Sequence, residues 1–325
     1  MRILKCLFLV LSVLLTACNN SDKVETVSSE SGNLILTESH GGEGSAWGLA
    51  ECDGCHVLNS IHQQADSIRS IVQSKGYDSC TGCHGSNGSS EPRKCLVCHN
   101  STDLAEMPIA EGKHSHTFDS ESTEALKDEQ CVECHLASDM NGDFDPNRDL
   151  TRLKDSRQLY TSYTSSSDFC LRCHNRDHQQ TGFEMDVDYE NPLIAMADNY
   201  KYVDKHGEKA GTGERSYAGL REGYRYDSFV ECTDCHVMHG TDNTGLIIDD
   251  SKKGLSKLDP EIRIKPYSID NASGNNAELC VMCHQMDVLL DEAELDVGNG
   301  LSGLHEIAGN CQLCHSHGEA VQAGM

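Results

Sequence analysis

Apolar residues in this chain come in short pieces broken by polar ones, with one exception near the N-terminus. Cys6–Ala17 is a continuous apolar run behind a positive start of Arg2 and Lys5. The run is too short to cross a bilayer as a helix, so residues 1–17 read as an export signal. Residues 18–38 are rich in Ser, Asn, Glu and Asp and read as a flexible tether. No later segment is apolar enough to span a membrane. Over 39–325 the pattern predicts one continuous domain that is mostly irregular, with short α-helices, long turns and little or no sheet. Gly85–Arg93 is Gly- and Ser-rich and reads as a loop, and Asp139–Asp149 reads as a polar turn. If the domain divides, the pattern favours two lobes meeting near residue 155.

What sets those turns is a pentad, Cys-x-x-Cys-His, that occurs eight times. The pentads begin at Cys52, Cys80, Cys95, Cys131, Cys170, Cys232, Cys280 and Cys311. Their second thiols are Cys55, Cys83, Cys98, Cys134, Cys173, Cys235, Cys283 and Cys314. They end in His56, His84, His99, His135, His174, His236, His284 and His315. This is the attachment pattern of a c-type haem. Two thiols add to the two vinyl groups of one porphyrin, and the next residue turns its imidazole onto the iron. With 18 Cys and 17 His in 325 residues, random placement would give about 0.05 such pentads. Zinc sites or disulfides are the alternatives, but neither requires a His after every second Cys. Sixteen cysteines lie in pentads, and the other two, Cys6 and Cys18, lie in or at the end of the export signal.

Eight haems in 325 residues is one per roughly 40. Hydrophobic residues make up 37% of the chain, aromatics 5%, and the mean hydropathy is −0.49. That is a thin supply for a conventional core, so the haems are expected to serve as the core and to staple the loops. Without haem the chain is expected not to fold. The net charge of −26 argues against nucleic acid and anionic lipid surfaces as partners.

Each iron also needs a sixth ligand or an open site. Nine histidines lie outside the pentads: His40, His62, His114, His116, His178, His206, His239, His305 and His317. Eight haems call for eight, so all-bis-His ligation is the expectation. His178, His239 and His317 follow their pentads too closely to reach the opposite face of the same iron, so each is expected to serve a neighbouring haem. His114 and His116 would share a face of an extended segment, one of them spare. His40 is a second candidate spare, or a reach to another molecule. Met238, Met282 and Met286 compete as ligands but read as packing residues.

Intervals between first cysteines run 28, 15, 36, 39, 62, 48 and 31 residues, so there is no repeat of fixed period. The 15-residue step predicts that the second and third pentads are neighbours. In the polar turn, Asp139, Asn141, Asp143 and Asp145 superficially suggest a calcium loop. Phe144 stands where that loop needs Gly and Leu150 where it needs Glu, which favours an ordinary acidic turn. The longest stretch between pentads, 175–230, holds Tyr189, Tyr200, Tyr202, Tyr217, Tyr224 and Tyr226, expected to pack on porphyrin rather than to relay electrons.

The apolar run ends Leu15-Thr16-Ala17-Cys18, which resembles a bacterial lipoprotein cleavage box. The resemblance implies an acylated Cys18, with an ordinary signal peptide as the alternative. Asn19, where inner-membrane retention usually uses Asp, points to the outer membrane or cell surface. Eight pentads, the pool of further histidines, this box, and the string Cys232-Thr-Asp-Cys-His-Val-Met-His239-Gly240 together resemble the multihaem c-type cytochromes of metal-respiring bacteria. The resemblance implies electron transfer through eight haem c groups, with no catalytic residue. Its implied partners are other c-type cytochromes or porin–cytochrome components, with metal oxides or electrodes as extracellular acceptors. It also brings two alternatives. One is an octahaem oxidoreductase with an open haem, although no pentad ends in Lys. The other is a filament-forming cytochrome that self-assembles.

Overall fold

The computed structural model describes residues 35–49, 51–88, 93–104, 112–116, 126–136, 143–177, 180, 195–203, 206–208, 220, 223–224, 229–263, 269–271, 274–284 and 311. The expected export signal with Cys18, most of the expected tether, His178, His305, Cys314, His315, His317 and Met286 lie outside them, as do Tyr189, Tyr217, Tyr226, Asp139 and Asn141. Among the described residues the chain is mostly loop, with short helices and no sheet; only isolated antiparallel bridges occur. No helix there is long and apolar enough to cross a membrane.

The chain clusters into two compact units, one from residues 1–105 with 127–151, the other from 106–126 with 152–325. In the first, the longest helix among the described residues is Asp66–Lys75. Ile68, Ile71 and Val72 recur at helical spacing on one face, and only Val72 is buried. Gly76 ends the helix at φ 75°, a left-handed conformation that glycine adopts without a Cβ penalty. Lys75 in the last turn reaches Val97 O at 2.9 Å and Asp103 at 2.7 Å, which ties the helix to the third pentad. Of the buried apolar residues among those described, only Val72 and Leu150 belong to this unit. Two such residues are a thin core for the described part of this unit.

The second unit has a core of its own. Tyr224, Ile247, Ile248, Leu255, Leu258, Ile269, Leu279 and Met282 form one buried cluster, with Cys235 and Cys283 packed on it. Side-chain amides replace the missing sheet ladder. Asn243 Nδ2 donates to Ile248 O and Ile269 O at 3.0 and 2.6 Å, and its Oδ1 accepts from Asn271 N at 3.1 Å. Tyr224 lies in this cluster, 3% exposed, and the Tyr200 hydroxyl donates to Val230 O at 2.5 Å, whereas Tyr202 is exposed.

The acidic turn around 145 satisfies its own backbone. Asp145 accepts from Asn147 N at 2.8 Å, and Asp149 Oδ2 accepts from Asp145 N at 2.7 Å. Its carboxylates cap the short helix Pro146–Asp149.

Candidate functional site

Seven pentads have their Cys-x-x-Cys-His residues among those described, and they share one local structure. In six, the His N–H donates to the carbonyl of the first Cys at 2.9–3.0 Å: His56, His99, His135, His174, His236 and His284. In the seventh, Cys80–His84 is itself a helix. One helical turn brings residues i, i+3 and i+4 to one face, so both thiols and the imidazole of a pentad point the same way. Three of the histidines then turn extended and are pinned by an antiparallel bridge: His135 to Leu150, His236 to Ile247 and His284 to Leu220.

No disulfide forms among the fifteen described pentad cysteines. No group of three or more His, Cys, Asp or Glu side chains converges among the described residues, as a tetrahedral zinc site would require. Burial is the main force on several thiols. It pushes Cys80 and Cys173 up to about 11 and Cys235 up to about 12, and it raises Cys83 and Cys98. These five side chains are therefore protonated at neutral pH.

Three pentad histidines each face one histidine from outside the pentads. His40 and His56 have ring centroids 5.9 Å apart and planes 3° apart. His62 and His84 are 6.2 Å and 22° apart, and His116 and His174 are 6.0 Å and 79° apart. Two imidazole nitrogens bound to one metal ion at ~2.0 Å each, with ~1.1 Å more to each ring centre, put the centroids ~6 Å apart. All three centroid separations match that span. His40, read from the sequence as spare or intermolecular, faces His56 of its own chain.

The imidazoles are held in the form a metal needs. His236 Nδ1 lies 2.9 Å from Gly245 O and so donates to it, which puts the ring's lone pair on Nε2. Burial lowers the proton affinity of His62, His99 and His135. It lowers His116 to about 4, with His174 adding to the shift. These rings are neutral at pH 7 and able to ligate. His62 also sits at φ 53°, an unusual left-handed backbone for a residue with a side chain.

No protein-family model, curated protein or solved structure matches the chain.

The pentads of each unit adjoin in chain order. In the first unit the Cys80 thiol is close enough to Cys52, and the Cys131 thiol to Cys95, for each neighbour to raise its proton affinity. Between the second and third pentads, as their short interval predicts, Lys94 N donates to Thr81 O at 3.0 Å. In the second unit Ser167, three residues before Cys170, bonds Glu231 Oε2 at 2.6 Å and accepts from Cys232 N at 2.7 Å. In the same unit the neighbouring thiols of Cys311 and Cys235 raise the proton affinity of Cys280.

Large apolar side chains left exposed also gather at pentads. Leu49, Val57, Val132, Leu136 and Phe229 lie within or up to three residues from one, and the Phe144 ring packs edge-on against His135. Such a distribution is what a porphyrin face would cover. Of the remaining histidines, His114 is exposed and bridges backbone-to-backbone with Thr241, while His206 accepts from Val230 N at 2.9 Å beside the sixth pentad. The bridge at Thr241 needs Gly112, since a Cβ there would lie 2.5 Å from Thr241 N.

Proposed function

We propose that this chain is an octahaem c-type cytochrome that conducts electrons, with bis-His ligation at its haems. One observation supports the reading most: three pentad histidines each lie 5.9–6.2 Å, centroid to centroid, from a non-pentad histidine, a span compatible with one shared iron. The haem supplies a one-electron iron couple, and bis-His ligation keeps it at low potential with no place for an outside ligand. The chain's own residues do the rest. Each one-turn pentad presents two thiols and an imidazole on one face. Gly245 O fixes the tautomer of His236. The thin core of the first unit leaves its interior for porphyrin.

In this reading haems one to four and five to eight are neighbours in chain order within their units, since their pentads touch in that order. Electrons would pass by tunnelling between adjacent rings, without any side chain acting as acid or base. The sixteen pentad cysteines, the eight pentad histidines and the distal pool of His40, His62, His114, His116, His178, His206, His239, His305 and His317 carry the function. The reading extends to a lipid anchor at Cys18 on the outer membrane. There the chain would pass electrons to other cytochromes or to extracellular metal oxides.

Intact-mass measurement of the exported holoprotein, with a pyridine haemochrome count, tests the proposal. Eight covalent haems per chain are expected. A chain carrying zinc, or fewer haems with pentad cysteines in disulfides, would overturn it.

A further inference from the structure

Resting on the haem reading, we propose that Asn87 is a positioning residue for the first haem. It holds His40 as the Nδ1–H tautomer, so that Nε2 is the atom presented to the iron of the first pentad. His40 opens a turn with little rigidity of its own. Gly41, Gly42, Gly44 and Gly48 all have positive φ, between 74° and 82°, and Glu43 stands at 52°. Glycines make this path sterically possible but raise the entropy lost in fixing it. The turn's internal hydrogen bonds, such as His40 N to Thr37 O at 2.9 Å and Ala46 N to His40 O at 3.1 Å, shape the backbone and leave the imidazole free to rotate.

Asn87 arrives from 47 residues further along and clamps both. Its Nδ2 donates to Ala46 O and to Leu49 O, each at 2.9 Å. With the amide nitrogen committed to two carbonyls, the atom facing His40 Nδ1 at 3.2 Å is the oxygen, an acceptor. His40 Nδ1 therefore carries the hydrogen. A neutral imidazole protonated there has its lone pair on Nε2. The ring is nearly parallel to His56, 5.9 Å away. An acceptor on the far nitrogen both orients a ligating imidazole and raises its basicity. Asn87 is also three residues beyond His84, and Leu36 N donates to His84 O at 2.8 Å, so the clamp joins the distal side of the first haem to the second pentad.

The test uses full-length holoprotein in four forms: wild type, Asn87→Ala, Asn87→Asp and His40→Ala. Haem content, carbon monoxide binding by the reduced protein and the resolved reduction potentials are read on each. His40→Ala should make one haem in eight reactive to carbon monoxide. Asn87→Ala should make the same haem partly reactive, up to one in eight, and shift its potential upward. Asn87→Asp keeps a stronger acceptor at the imidazole but loses both Nδ2 bonds to the turn, and it should shift that potential downward. Opposite shifts at one haem support tautomer control, because a purely structural role would move both variants the same way. If Asn87→Ala loses the haem altogether, the direction of the Asn87→Asp shift decides. The proposal is overturned if both Asn87 variants match wild type, or shift together, while His40→Ala opens a haem. If wild type lacks eight haems, or His40→Ala opens none, the haem reading itself fails, and the Asn87 assignment falls with it.

Discussion

Replacing His116 with alanine removes the imidazole that faces His174 at 6.0 Å without altering a pentad. The covalent attachment through Cys170 and Cys173 should survive, because neither thioether involves His116. The iron of the fifth haem would then have one protein ligand and an open face. One haem in eight, about 12% of the total, should bind carbon monoxide after dithionite reduction. The side chain is largely buried, and truncation there should cost about 0.5–3 kcal/mol of the second unit's stability. His116→Met should restore six-coordination and raise the potential of that haem. The native site also predicts a pH response. Burial holds His116 near 4 against its ordinary 6.5, a gap of about 3 kcal/mol in favour of the neutral ring. Because the folded value is depressed, this stability is complete above about 6.5 and is lost as pH falls toward 4. Iron competes with the proton for the same ring and can only move that loss lower. The wild-type low-spin spectrum should therefore stay constant from pH 8 to about 5. Two results would refute the reasoning: a His116→Ala protein that remains closed to carbon monoxide, or a wild-type high-spin signal that appears by pH 6.

Other expectations come from the packing and charge around the pentads. Ile248→Ala at a fully buried core position should cost about 2–5 kcal/mol and lower the thermal midpoint of the second unit while leaving the haem count unchanged, read by calorimetry. Haem-free chain under limited proteolysis should retain a fragment near residues 229–284, where the protein core lies; equal survival of the first unit would contradict the idea that porphyrin is its core. Asp155 accepts from Arg157 Nη2 at 2.7 Å and from Leu159 N at 3.0 Å. These contacts, led by the guanidinium, hold its carboxyl down to about 2. Its carboxyl carbon resonance should titrate near that value in wild type and move up in Arg157→Ala.

Much of the candidate site was legible because its chemistry is local. Two thiols and an imidazole within five residues suggest one helical turn, and six described pentads close such a turn with the same hydrogen bond. The poverty of sheet was legible too, since no long alternating apolar pattern exists. Distal pairing was not. His40, His62 and His116 face partners 16, 22 and 58 residues away, and no periodicity encodes such distances in loops. The helix Asp66–Lys75 falls between pentads rather than on one, so attention to the motifs passed over it; Ile68, Ile71 and Val72 with Gly76 were its signal. The core around Ile247, Ile248, Leu255 and Leu258 was hidden because its apolar residues are isolated pieces, joined in space by Asn243 and Asn271. Asn87 looked like one more residue of a Gly- and Ser-rich loop, and only its three partners mark it out.

The most direct test of the bis-His conduit is the visible spectrum of dithionite-reduced wild-type holoprotein, recorded with and without carbon monoxide. The account predicts low-spin haem throughout and no change when the gas is added. A carbon monoxide shift in about one haem of eight would contradict it and reveal an open iron, the mark of an enzyme rather than a conduit.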